Sequence, residues 1–390
     1  MIWQSVKLAN VAIVFNGKTP SKAEQRNSGH PVLKIRDVDD SGVFKGNFGS
    51  FVDPEFAEKF SSKKINVDDT LVLNAAHNSD YVGSKQYRAE GSVVGTLPTG
   101  EWLIARADEE QLHPRFLNYW FRSPQAKFQI KHLVKGIHLY PKDVARLEIP
   151  LPPLAEQKRI ATILDKADAI RRKRQQAILL ADEFLRAVYL EMFGPRVCRE
   201  RWPLITFGEV TRVDAPMVDP RDDQYLDMLH IGPDRIEKNT GRLLPALTAR
   251  QESLISKKFL FDNSYVLYSK IRPYLRKAAL PEFGGLCSAD MYPIRPNEGA
   301  MTREYLWQML LSDEFTQYTE SLPARANIPK LNRTELASFG FRLPPIELQR
   351  KFSDLFRRYS VVFEASKSGF DSSNDLFASL SQRAFSGNFR

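Results

Sequence analysis

The run Leu151-Pro152-Pro153-Leu154-Ala155-Glu156-Gln157-Lys158-Arg159-Ile160 returns 192 residues later as Leu343-Pro344-Pro345-Ile346-Glu347-Leu348-Gln349-Arg350-Lys351-Phe352. Each copy closes about 150 residues of mixed character and opens a long amphipathic stretch. A chain of 390 residues exceeds one ordinary core, and a period of half its length makes it two copies of one plan. The division expected is 1–150 and 196–343 as globular units, with 151–195 and 344–390 as helical segments.

Phase is kept after each Pro-Pro. Ile160, Leu164, Ala167, Arg171, Arg174, Ile178, Ala181, Leu185, Val188 and Met192 alternate spacings of four and three, the seam of a coiled coil. At the same offset lie Phe352, Phe356, Tyr359, Phe363, Ser366, Phe370, Ser373, Phe377, Leu380 and Ala384. Proline suits the start of a helix, and none follows Pro153 until Pro195. Such a helix of about 39 residues spans ~58 Å. The first leads away from one globular unit, so a partner that pairs along its length must return antiparallel. The alternative is that each helix is buried separately against its own unit. Arg171 and Arg174 interrupt the seam, where charge is costly unless paired or exposed.

The interiors have drifted further than the frame. Trp3 matches Trp202, Lys63-Lys64-Ile65 matches Lys257-Lys258-Phe259, and Phe116-Leu117-Asn118-Tyr119-Trp120 matches Tyr305-Leu306-Trp307-Gln308-Met309, at offsets of 199, 194 and 189. Val32–Ile35, Thr70–Leu73, Tyr225–Leu229 and Tyr265–Tyr268 read as short strands, and 114–133 and 302–321 as one helix each. The fold class expected is α+β: two similar globular units and two long antiparallel coiled-coil helices, pseudo-two-fold.

The chemistry of the chain points to binding. Gly17-Lys18-Thr19 ends like a phosphate-binding loop, but the glycine required five residues earlier is Ala12. No G-x-G-x-x-G or H-E-x-x-H occurs, and the six histidines lack metal-ligand spacing. Two cysteines cannot build a disulfide scaffold, and no apolar run of membrane-spanning length exists, so the cytoplasm is the expected compartment. The net charge of +9 is spread over all four segments and is compatible with phosphate contacts without requiring them.

Four polar segments stand out. In the second unit, cations and tyrosines interleave at Tyr268, Lys270, Arg272, Tyr274, Arg276 and Lys277. Cations neutralise phosphates, and arginine can bind guanine O6 and N7 together. The first unit offers Asn74, His77, Asn78, Lys85, Gln86 and Arg88 at the matching place, and amides suit adenine. Just ahead of each Pro-Pro lie further basic loops, with Lys135 in one and Arg325, Asn327 and Lys330 in the other. These sixteen residues are the nucleic-acid-contact candidates. An adaptor that gathers proteins through the helices and never touches DNA is the alternative.

The ordered set of phrases, occurring twice, resembles the specificity subunit of type I restriction–modification enzymes. Asn16-Gly17-Lys18-Thr19-Pro20-Ser21, Ile236-Glu237-Lys238-Asn239-Thr240-Gly241, Val266–Leu275 and Ala384-Phe385-Ser386-Gly387 fit the same pattern. Glu347-Leu348-Gln349 departs from the usual Glu-Gln pair. The resemblance implies two target recognition domains, each reading half of a bipartite, asymmetric site in double-stranded DNA, with the helices as spacers. It implies a non-catalytic subunit that binds no cofactor. Two methyltransferase subunits would dock on the spacer region and carry S-adenosylmethionine. A motor–nuclease subunit would bring ATP and magnesium. Leu154, Gln157, Ile160, Arg171, Arg174, Ile346 and Gln349 are the residues expected at the partner surface.

Overall fold

The structure is a computed structural model that describes residues 3–194, 197, 199–323 and 328–387. The chain forms two compact units: residues 1–175 with 369–390, and residues 176–368. Each unit is therefore a globular part plus one half of each long helix, Leu154–Phe193 and Ile346–Phe385. This is not a simple division into consecutive segments, because the seam joins stretches remote in sequence.

Within the first unit, Ile160 and Leu164 share a core with Ala384 and Phe385, while Arg171 lies over the ring of Phe377 and Arg174 reaches the carbonyl of Gly369. Rising numbers on one helix meet falling numbers on the other, so the pairing is antiparallel. The second unit repeats this. Phe193 and Tyr189 pack on Phe352, and the Tyr359 hydroxyl donates to Asp182 at 2.7 Å. Of the twenty seam residues only Arg174 is exposed. Its neighbour across the seam is a glycine, Gly369, where an added Cβ would meet the guanidinium at 3.4 Å. The helices also pack on their own globular parts, so seam burial and domain burial are one core: Phe116 lies 5.1 Å from Phe385, and Trp307 lies 5.2 Å from Phe356. Each such phenyl contributes about 1.5–3 kcal/mol on leaving water.

The globular parts share a main sheet. In the first its order is Ala12–Asn16, Trp102–Ala107, Thr70–Leu73, Gln86–Arg88, all antiparallel. In the second it is Thr211–Arg212, Met291–Pro296, Val266–Ser269, Ala278–Ala279, again antiparallel. The inner strands Thr70–Leu73 and Val266–Ser269 are buried at every position, which is why they read as short unbroken apolar runs. A second sheet in each part holds one parallel pair: His30–Leu33 with Leu97–Pro98, and His230–Ile231 with Gly285–Cys287. A two-stranded strap ties the start of each part to the segment before its Pro-Pro, with Val6 opposite Ile149 and Ile205 opposite Phe341.

Four local expectations are corrected. The helix expected over 114–133 is two, Pro114–Arg122 and Pro124–Leu133. Pro124 has no N–H to continue the ladder, and Ser123 Oγ accepts from the Ala126 N–H at 3.2 Å to cap the second. The stretch 302–321 likewise breaks into Arg303–Leu310 and Asp313–Ser321, where Ser312 caps Phe315 N–H. Tyr225–Leu229 is no strand. A turn runs through Asp223–Tyr225, and the strand is His230–Ile231, because the Asp222-Asp223 pair favours local turns over a ladder. Val32–Ile35 shifts to His30–Leu33, with Ile35 opening a turn.

Candidate nucleic-acid interface

In each unit the loop leaving the inner strand is bridged to the loop that precedes Pro-Pro. In the first unit Ala75 pairs with His138, and Leu139 N–H donates to Asn74 O at 2.8 Å. In the second Ile271 pairs with Lys330, Arg272 N–H donates to Pro329 O at 2.8 Å, and Leu331 N–H donates to Lys270 O at 2.8 Å. The two candidate segments of each unit are thereby brought onto one rim.

The rim of the first unit exposes His77, Asn78 and Lys135. Asn78 Oδ1 accepts from Asp80 N–H at 3.0 Å, fixing the turn. Lys135 Nζ donates to Asp143 at 2.7 Å, which holds that carboxyl below its usual range, yet the lysine side chain stays 62% exposed. Lys85 donates to Val38 O at 2.9 Å and faces Asp40, and Gln86 donates to Phe121 O at 2.9 Å. Arg88 pairs with Glu90 at 2.6 Å and lies near Asp68 and Asp165. In the second unit Lys270 donates to Ala289 O and Lys277 to Pro233 O, both at 2.6 Å, while Arg276 pairs with Asp313 at 2.6 Å. Lys330 is exposed, 3.7 Å from Asp290, and Arg272 and Tyr274 are exposed. Arg325 and Asn327 lie outside the described residues.

Two nucleic-acid candidates are withdrawn. Asn74 is buried and spends its amide on Asn16 Oδ1 at 3.0 Å and Gly100 O at 2.8 Å. Tyr268 is buried with its ring edge-on to Phe315 at 5.5 Å, and burial pushes its phenol up. Both sit on or just beyond the inner strand, where side chains turn into the core.

The partner-surface candidates divide in the same way. Gln157, Gln349 and Ile160 are buried and corrected to core roles. Gln157 accepts from His113 N–H at 2.8 Å and donates to Gln111 O at 3.0 Å and Pro152 O at 2.9 Å. Gln349 does the same with Thr302 N–H at 3.0 Å, Ala300 O at 3.1 Å and Pro344 O at 2.9 Å. This clamp fixes the start of each long helix to the loop opening Pro114–Arg122 or Arg303–Leu310. Leu154, Ile346 and Arg171 are half-buried and Arg174 exposed.

Behind the first clamp lies a network that sequence reading missed. Asp168, at 4% exposure, accepts from Arg122 at 2.9 Å, Arg171 at 2.7 Å and Arg172 at 2.9 Å. Burial alone would raise its pKa, but hydrogen bonds and charge from Arg122, with Arg172 and Arg171, outweigh this and hold it well below the usual carboxylate range. Beside it, Arg115 meets Asp165 at 2.9 Å. At matching places in the second unit Glu304 meets Arg357 at 3.7 Å, so the pair persists with its polarity reversed. Arg171 was legible as a charge in the seam, but the carboxylate that pairs it with Arg122 and Arg172 was not singled out.

Residues 2–180 match the type I restriction modification DNA specificity domain. Over that stretch the chain is similar to the specificity subunits of type I restriction–modification systems. The specificity subunit of the Escherichia coli EcoDI enzyme is 25% identical over 284 residues, and the match spans 63% of this chain and 63% of that relative. The StySPI specificity subunit of Salmonella potsdam is 21% identical, over 99% of this chain and 89% of its own length. The crystal structure of the type I S subunit from M. genitalium shares the fold, with a TM-score of 0.60 at 13% identity over 98% of this chain and 96% of that one. Among the described residues, no cluster of three or more acidic, histidine or cysteine side chains could hold a metal ion, and no helix is long and apolar enough to cross a membrane.

Proposed function

We propose that this chain is the DNA sequence-recognition subunit of a type I restriction–modification complex. Each globular part reads one half of a bipartite, asymmetric site through its bridged pair of loops, and the long helices set the distance between halves. The observation that carries this reading is the repeated bridge: two differently furnished polar loop pairs on one frame, as expected where different short sequences are read by one scaffold. Exposed Leu179, Leu180, Phe184, Val361 and Val362 on the long helices support docking of methyltransferase subunits there. In this reading the subunit performs no chemistry and binds no cofactor. S-adenosylmethionine belongs to the methyltransferase, ATP and magnesium to a motor–nuclease partner, and the complex acts in the cytoplasm.

Methylome sequencing of a host carrying the chain with its methyltransferase tests this. A bipartite motif with a fixed unspecified gap is expected. Adding one heptad to both long helices lengthens them by about 10 Å, or roughly 3 bp of duplex at ~3.4 Å per base pair, and the gap grows accordingly. An unchanged gap refutes the ruler, and absence of any bipartite motif refutes the reader.

A further inference from the structure

The loop Lys270–Lys277 carries four cations, and three are spent within the protein: Lys270 on Ala289 O, Arg276 on Asp313, Lys277 on Pro233 O. Arg272 is different. Its side chain is exposed, and among the described residues its guanidinium has neither a hydrogen-bond nor an ion-pair partner.

Its backbone is held in an unfavourable place. Arg272 has φ 50 and ψ 61, in the left-handed region, and Arg276 follows with φ 48 and ψ 58. That region costs an ordinary side chain about 1–2 kcal/mol and costs glycine nothing. Only Asp68, Asn239 and Ser253 share this sign of φ among described non-glycine residues, and aspartate and asparagine tolerate it through local hydrogen bonds. Arginine has no such compensation. At Arg276 the side chain is retained for its ion pair. At Arg272 no internal contact accounts for it.

The loop is also braced. Pro273 fixes one φ, Leu275 N–H donates to Arg272 O, Arg276 N–H donates to Pro273 O, and Arg272 N–H is tied to Pro329 O, at 2.8–2.9 Å throughout. Strain held by bracing around an unpartnered, outward-facing side chain is the signature of a preset contact. A phosphate contact tolerates a mobile cation. A two-point contact with a base edge requires a fixed direction, and the commonest such contact of arginine is with guanine O6 and N7.

Resting on the reading of this chain as a DNA reader, we propose that Arg272 recognises one guanine in the major groove of the second half-site. Removing it relaxes the motif at that single position and leaves the first half-site and the gap intact.

The test is methylome sequencing of the assembled methyltransferase complex with wild type, Arg272→Gly and Arg272→Gln. Glycine relieves the strain while deleting the guanidinium. Glutamine keeps a long polar side chain and serves where glycine costs assembly. Wild type is expected to require guanine at one position of the second half-site. Both variants are expected to lose that requirement by about tenfold or more, with glutamine moving preference toward adenine. Uniformly weaker methylation with an unchanged motif makes Arg272 a phosphate contact and overturns the proposal. An unchanged motif at unchanged strength overturns it too. Either result leaves the wider reading standing, whereas a wild type without a bipartite motif removes that reading itself.

Discussion

Replacing Gln349 by leucine keeps the size of a side chain buried to 0% exposure and deletes its amide. Three hydrogen bonds disappear: from Thr302 N–H, and to Ala300 O and Pro344 O. Each is worth about 1 kcal/mol net, and more where a buried partner is left unmet. Leucine returns part of this through better apolar burial, so a loss of about 2–4 kcal/mol is expected, a large share of the ~5–15 kcal/mol that holds a domain together. Gln157→Leu should cost a similar amount, because its three bonds are the same in kind and length. The two clamps share no partner, so their costs should add. Gln349→Glu discriminates further: a carboxylate can accept from Thr302 but cannot donate to two carbonyls. It should cost more than leucine at neutral pH and recover as acid protonates it. Urea unfolding of the full chain, followed by tryptophan fluorescence, measures the stabilities. Hydrogen exchange at the Thr302 and His113 amides reports the clamps locally. A loss under about 0.5 kcal/mol with unchanged exchange at Thr302 would refute the clamp.

The remaining predictions concern the two units separately. Asp168 has a depressed folded pKa, so its stabilisation is present above its unfolded value of about 3.8 and is lost as pH falls below it toward the folded value; Asp168→Asn should be less stable than wild type at pH 6, and the gap measured by urea unfolding should stay constant down to about pH 4 and begin to narrow only below it. Phe377 packs against Tyr119 at 6.0 Å and beneath the guanidinium groups of Arg122 and Arg171; Phe377→Ala should destabilise the first unit by about 3 kcal/mol, seen as faster exchange in Pro114–Arg122 with little change around Phe352. Cys287 is fully buried and its thiol is pushed up by burial; in a Cys198→Ser variant, alkylation at Cys287 should require unfolding, and rapid labelling of the native chain would contradict its burial.

The long helices were legible in the sequence because their signal is periodic and local. Seam residues from Ile160 to Ala384 could be named before any contact was known, and the duplication supplied their phase twice. Smaller elements were less legible. Ser123-Pro124 is a plain break that the apolar pattern on either side obscured, and Tyr225–Leu229 has strand-like composition that Asp222 and Asp223 override with a turn. The candidate interface was legible as segments but not as residues. Sequence places Lys270, Arg272, Arg276 and Lys277 in one loop, but which long cation finds a carbonyl is decided by Pro233, Ala289 and Asp313, brought in from elsewhere. Gln157 and Gln349 carried a signal in their shared position after Pro-Pro. Their placement at a partner surface followed from the family resemblance, whereas an amide whose oxygen and N–H groups are used within its own unit has nothing left to offer outside.

The reversed pairs Arg115–Asp165 and Glu304–Arg357 bear on how a duplicated chain avoids assembling wrongly. Either globular part could close on the other's stretch of long helix, since both stretches carry the same seam and the same glutamine. In that exchanged assembly Arg115 would face Arg357 and Glu304 would face Asp165. Like charges would then meet at both junctions, and misassembly within repeated chains is a common route to trapped intermediates. The inverted polarity would therefore disfavour that exchanged pairing and favour each globular part on its own stretch of helix.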